Sequence, residues 1–227
     1  LPLLCLTAPL RMSLARLQRE ASVEPRIKLG LGSTRGGIAN STNAALSLAS
    51  GRWVAFLDHD DLLHPEALSE LVERAVATGA QVVYSDHDIV NESGERSAPF
   101  FKPDWNPDLF MAQMYLGHLV VVERALVVKL GGLRSEFDGA QDYDLLLRCA
   151  AAGACVAHVP KVLYHWRQHA GSTSSNADSK PYAHHAGRAA IQSFVSSCYP
   201  GARVEDSAFT FCYDVRFPLP PRTKASL

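Results

Sequence analysis

Trp53-Val54-Ala55-Phe56-Leu57-Asp58-His59-Asp60-Asp61 is the stretch whose reading decides the fold. Its five apolar residues, with Trp, Val and Phe among them, read as a buried strand, parallel to its neighbours and covered on both faces. The strand runs straight into three carboxylates. In an open α/β sheet ligands bind beyond the carboxyl ends of the strands, where these acids fall. In an extended segment Asp58 and Asp60 project to one side. Two such charges repel and are comfortable beside a cation, and oxygen-only ligation of this kind suits Mg²⁺ or Mn²⁺ shared with substrate phosphates. The alternative is structural: Asp58 ends the strand and Asp61 caps a helix beginning near Pro65.

Upstream, Leu3 to Thr7 and Ile27 to Leu29 read as short strands, with an amphipathic helix over 11–21 between them. A glycine-rich loop, Gly30 to Gly37, precedes a helix from Ile38 to Ala49 that Gly51 stops. Gly36-Gly37 either lets backbone N–H groups approach a phosphate at that helix N-terminus or is a flexible connection. Downstream, Pro65 opens and Gly79 closes a helix, and Gln81 to Ser85 is a strand followed by Asp86 and Asp88. Strand, helix and strand with acids at one end is the pattern of a parallel sheet flanked by helices. His118 to Val122, Val156 to Val159 and Val162 to Tyr164 are further strands. Glu123 to Leu130, Leu145 to Ala152 and Tyr182 to Val195 are helices, and the tail from Phe209 reads as a linker.

Three segments carry chemistry. Phe100 to Pro107 mixes aromatic residues with prolines; Trp105 is a candidate face for a sugar ring, while Phe100 and Phe101 read as core. Gly139-Ala140-Gln141-Asp142-Tyr143-Asp144 opens a helix, where one acid suffices for capping and a second aimed into a cleft can serve as a general base. His165 to Thr173 offers two imidazoles, a guanidinium and hydroxyls, a combination suited to a diphosphate and its metal. His158, His184 and His185 read as structural.

Net charge is −1, from 22 basic and 23 acidic residues, so no basic stripe argues for nucleic acid. Cys5, Cys149, Cys155, Cys198 and Cys212 form no C-x-x-C pair and read as reduced, buried thiols of a cytoplasmic protein. No run approaches the ~20 apolar residues that cross a bilayer. A chain opening at Leu1, without a basic segment, reads as a piece of a longer protein without a signal peptide.

Gly36 to Leu46, Phe56 to Asp61, Tyr84-Ser85-Asp86, Phe101-Lys102-Pro103-Asp104-Trp105, Gly139 to Asp144 and His165 to His169 together resemble the family 2 glycosyltransferases of GT-A fold. Within that family the likeness is to bacterial enzymes of O-antigen and rhamnan-type polysaccharide assembly, over roughly residues 25 to 175. The resemblance implies a Rossmann-like, mostly parallel sheet flanked by helices. It implies inverting transfer from a nucleotide-sugar donor to a saccharide or lipid-linked saccharide acceptor, with peripheral contact at the inner face of the plasma membrane. Donor-side roles fall on Arg35, Asn43, Asp58, Asp86 and Arg167. The metal falls to Asp60 and His169, with His165 as the alternative; Asp142 is the catalytic base; Trp105 and Gln141 face the acceptor. The family's first strand and helix do not precede Leu3, and Ala8-Pro9 stands where its acidic pair belongs, so the domain is expected to be N-terminally truncated and, alone, to bind nucleotide-sugar weakly or not at all. Residues 1–200 are the expected domain and 201–227 a tail, similar to the linker before a second transferase domain in tandem relatives. An inactive sugar-binding module, a phosphohydrolase or nucleotidyltransferase on the same acids, and a glycosidase are the rival readings.

Overall fold

The computed structural model of the protein describes residues 3–5, 11–30, 37–58, 60–168 and 181–218. β1 (Leu3–Cys5) and β2 (Ile27–Leu29) pair in parallel across α1 (Arg11–Val23). After α2 (Gly37–Leu48) come β3 (Trp53–Ala55), β4 (Leu62–Leu63) and α3 (Ala67–Thr78). Alanine and leucine at Ala67, Leu71 and Ala75 give α3 one buried stripe at i, i+4 spacing, and Gly79 ends it in the left-handed conformation.

β5 (Val82–Val90) is the spine of the main sheet. One edge of it carries β7 (Val120–Glu123) and then β6 (Arg96–Phe100), both antiparallel. Its other edge carries β8 (Val156–Arg167) in parallel. β3 adds to β7 and β4 to β8, both antiparallel. The sheet is therefore mixed, where a mostly parallel one was expected. Between β6 and β7 lies α4 (Pro107–Ala112), which starts on Asn106: its side chain accepts the Leu109 N–H at 2.9 Å, and Pro107 takes the first helical position. α5 (Arg124–Lys129) and α6 (Gln141–Ala151) separate β7 from β8.

Alternation along the strands makes two cores. Val82, Tyr84, Val120 and Val122 face a larger cluster with α4 to α6 and with α7 (Pro181–Cys198), while Val83, Val121, Ala157 and Val159 face α3. Helices thus cover both faces of the sheet.

Five further expectations need correction. The strand at Trp53 is three residues long, antiparallel to β7 and half-buried, so Phe56 and Leu57 lie beyond its end. β5 does not stop at Ser85. It continues through Asp86 and Asp88, which stay inside the sheet because histidines of β8 meet their carboxylates. The two strands expected around Pro160 are one: Ser85 pairs Val159 and Asp86 pairs Val162, so Pro160 and Lys161 bulge out where a missing N–H costs nothing. Residues past 200 are not all tail. β9 (Arg203–Asp206) and β10 (Tyr213–Arg216) form a hairpin whose Val204 and Tyr213 join the larger core, so the boundary at residue 200 falls inside the packed unit. Of the thiols, only Cys149 among the described ones is buried, which pushes it up to about 12; Cys155 and Cys198 are exposed and Cys212 half-buried.

Candidate active site

Past β3 the chain runs through Phe56, Leu57 and Asp58 along a cavity of about 440 Å³. Asp58 leaves 58% of its side chain exposed, with His118 Nε2 at 3.6 Å from its carboxylate. Asp61 turns the opposite way. The Tyr164 hydroxyl donates to its Oδ2 and the Arg167 N–H to its Oδ1 at 2.8 Å, and burial raises its pKa. It therefore ties the acidic loop to β8, and caps no helix: Glu66 precedes α3 with no side-chain cap. Arg167 Nε donates to the Asp60 carbonyl at 2.6 Å, fixing the backbone between the two acids.

The opposite wall comes from the first turn of α6, which begins four residues earlier than its hydrophobic pattern suggested. Gln141 and Asp142 both line the cavity, with the Asp142 Oδ1 accepting the Tyr143 N–H at 2.8 Å and the Gln141 Oε1 the Gly139 N–H at 2.7 Å. Asp144 lies inside. It is 1% exposed and held by Arg134 and by Arg148, whose Nη2 is 2.7 Å away. Of the two acids in this turn, only Asp142 meets the cavity.

Other expected site residues are placed elsewhere. Asn43 clamps a loop, its Oδ1 accepting the Leu133 N–H at 2.8 Å and its Nδ2 donating to the Leu133 carbonyl at 2.7 Å. Both ends of its side-chain amide are thus engaged with the backbone of Leu133. Asp86 is 2% exposed, with its Oδ1 taking the Lys102 N–H at 3.0 Å and facing His158 Nε2 at 2.8 Å. It is a buried fastening in mid-strand, because β5 runs on through it and pairs it with Val162 of β8. Trp105 packs into the larger core with its ring 5.1 Å from Phe110, whereas Phe100 and Phe101 are 40% and 71% exposed, the reverse of the expectation. His165 pairs with Asp88 at 2.6 Å, and Asp88 with Arg96 at 2.6 Å. Arg35 and His169 lie outside the described residues.

The N-terminus of α2, considered above as a phosphate cradle, holds a carboxylate of the protein. Asp138 Oδ1 accepts the Ala39 N–H at 2.9 Å, and a Cβ on Gly37 would fall 2.1 Å from Asp138 Oδ2. Gly37 is glycine because that acid comes so close, at a φ of +80°.

Sequence reasoning missed His118 and Lys102. His118 stacks on Tyr164 at 5.2 Å and faces Asp58; its only signal was a polar residue between Gly117 and an apolar run. Lys102, 5% exposed, donates to the carbonyls of Ser85, Leu116 and His118, the last at 2.8 Å, so it fastens the turn that carries His118. Burial pulls its ammonium down to about 7, opposed by the Asp86 carboxylate. Among the described residues no group of three or more His, Cys, Asp or Glu side chains is arranged to hold a metal ion.

Residues 14–121 match the model of glycosyl transferase family 2. The chain is 38% identical over 226 residues to the O-antigen biosynthesis protein RfbC of Myxococcus xanthus, covering 97% of this chain and 17% of that protein. It is 41% identical over 179 residues to protein y4gI of Sinorhizobium fredii, covering 78% of this chain and 20% of that one. It thus spans about a fifth of the length of these curated relatives. Among solved structures, S. aureus TarS 1–349 in complex with UDP-GlcNAc superposes with a TM-score of 0.63 at 18% identity, over 85% of this chain and 56% of that one. That likeness shows the GT-A glycosyltransferase fold. The chain belongs to the family 2 glycosyltransferases.

Proposed function

We propose that this chain transfers a sugar from a nucleoside-diphosphate sugar to a hydroxyl of a growing cell-surface polysaccharide, with inversion at the anomeric carbon. The observation that carries the reading is that Asp58 and Asp142, far apart in sequence, line one cavity while Asp86, Asp88 and Asp144 are buried against histidine or arginine side chains. The role of RfbC in O-antigen biosynthesis, and the UDP-GlcNAc bound to the structural neighbour, support the donor and acceptor classes.

In this mechanism Asp142 takes the proton of the acceptor hydroxyl. That oxygen bonds to the anomeric carbon on the face opposite the leaving group. The carbon–oxygen bond to the diphosphate breaks, and its electron pair departs with the nucleoside diphosphate. General-base assistance of this kind contributes roughly 10²–10⁴ in rate. Asp58 and Arg167 orient the donor, with Arg167 already fixed by the Asp60 carbonyl. Asp58 and Asp60 are hard oxygen donors in one short loop, a set that fits Mg²⁺ or Mn²⁺ completed by substrate phosphates. We assign the ion to Asp60 and His169; when bound it supplies Lewis-acid neutralisation of the diphosphate.

The test is a donor screen with UDP-, GDP- and dTDP-sugars, Mn²⁺ and oligosaccharide or lipid-linked acceptors, with the product's anomeric configuration read by NMR. Expected is a glycoside of inverted configuration with stoichiometric nucleoside diphosphate. Release of phosphate or pyrophosphate without a glycoside overturns the reading in favour of a phosphohydrolase.

A further inference from the structure

The acceptor side of the reaction needs a surface, and the tryptophan expected to supply it is packed into the core. Besides Phe56 on the Asp58 side, two aromatic residues stand in the cavity wall with Gln141 and Asp142: Tyr182 and Phe211. Each is held there by a specific arrangement.

Tyr182, in the first turn of α7, is 55% exposed although its ring edges the cavity. A Cβ on Gly139 would fall 2.7 Å from its Cε2 and 3.0 Å from its Cδ2. The ring therefore lies on bare glycine backbone, at a φ of +102°, just ahead of Gln141 and Asp142. Any side chain at 139 would push it off. Phe211 is one of two described non-glycine residues with positive φ, at 63°. That conformation disfavours an aromatic residue and persists only where its surroundings impose it. His184 imposes it here: its Nδ1 accepts the Phe211 N–H at 3.0 Å, its Nε2 faces Asp206 at 3.0 Å, and its ring stacks on Tyr213 at 4.9 Å. The Tyr213 hydroxyl in turn donates to the His184 carbonyl at 2.9 Å.

We propose that Tyr182 and Phe211 form an aromatic subsite for a sugar ring of the acceptor saccharide, next to Asp142; it rests on the glycosyltransferase reading above. A pyranose has apolar C–H faces and a polar hydroxyl edge. The faces match the two rings, and the edge matches the carboxylate and amide of the same wall. A purely apolar ligand would desolvate the Asp142 carboxylate and the Gln141 amide and leave their remaining hydrogen-bonding capacity unmet, which is unfavourable. A nucleobase also stacks on aromatic rings, and the test separates it.

Saturation-transfer-difference NMR on the full chain, with methyl β-D-glucopyranoside, methyl α-L-rhamnopyranoside and UDP as probes, reads each ligand independently. The ring C–H protons of at least one glycoside are expected to be saturated. Affinity should fall about tenfold in Tyr182→Ala and Phe211→Gly, and hold in Tyr182→Phe and in Phe209→Ala, which alters an exposed ring outside the cavity wall. Glycine at 211 keeps the positive φ without strain, and near-ultraviolet circular dichroism confirms that each variant is folded. UDP binding should be unchanged throughout. Glycoside binding indifferent to both ring removals overturns the subsite while leaving the transferase reading intact. Weakening of UDP instead overturns it by giving the rings to the nucleobase. Absence of both glycoside and UDP signals from the wild-type chain overturns the subsite together with the reading beneath it.

Discussion

Asp58 and Asp142 differ from Asp86, Asp88 and Asp144 in what surrounds their oxygens. The first two stand in the wall of a cavity, one with a histidine at 3.6 Å and the other held by its neighbour's N–H. The other three are 1–4% exposed, and each meets at least one cationic or imidazole partner. A carboxylate whose lone pairs are already met inside the protein has little left for a substrate. The contrast separates acids that hold the scaffold from acids that can do chemistry, within one composition and often within one motif.

The contrast breaks most visibly at α6. Asp142→Asn should lower the transfer rate by roughly 10²–10⁴, with unfolding shifted by less than about 0.5 kcal/mol. Rate assays beside urea titration check both halves, and an unaltered rate would remove Asp142 from the chemistry. Two residues on, Asp144→Asn should do the reverse. Removing the charge that Arg134 and Arg148 share should destabilise the protein by about 3–5 kcal/mol in the same titration. A loss below about 1 kcal/mol would show that Asp144 is not the fastening described.

A smaller effect sharpens the scaffold side. His87 lies between the rings of Phe100 and Trp166, with its buried Nδ1 lacking a hydrogen-bond partner. Burial lowers its pKa from 6.5 to about 4. Between those values the unfolded chain binds a proton that the folded chain does not. Stability is therefore intact above pH 6.5 and is lost as pH falls toward 4, by up to about 3 kcal/mol from this group. His87→Phe should flatten that part of the pH–stability curve, measured by denaturation at half-unit intervals; an unchanged slope would assign the acid sensitivity elsewhere.

Much of the architecture was legible in the sequence, because apolar periodicity and glycine stops mark α2, α3 and α7 directly. The sheet's direction was not. A strand between helices reads as parallel, and only the register shows β7 entering antiparallel between β3 and β5. The lining of the cavity was legible where motif and exposure coincide, at Asp58, Gln141 and Asp142. The internal partners of Asp86 and Asn43 were not legible, since His158 and Leu133 lie 72 and 90 positions away. Trp105 and Phe101 were exchanged for a related reason. Aromatic residues in a proline-rich segment carry no periodicity to say which face is inward, so packing against Phe110 decides it. Tyr182 and Phe211 gave no local signal, because what marks them is a glycine and a histidine distant in the chain.

The central claim, that the cavity between Asp58 and Asp142 receives the nucleotide-sugar, is tested most directly by following assigned backbone amide resonances during a UDP-GlcNAc titration with Mg²⁺. Shifts are expected to concentrate at Asp58, His118, Gln141 and Asp142, with Asp86, Asp88 and Asp144 unmoved. Shifts centred on the buried acids, or none around the cavity at saturating ligand, would contradict it.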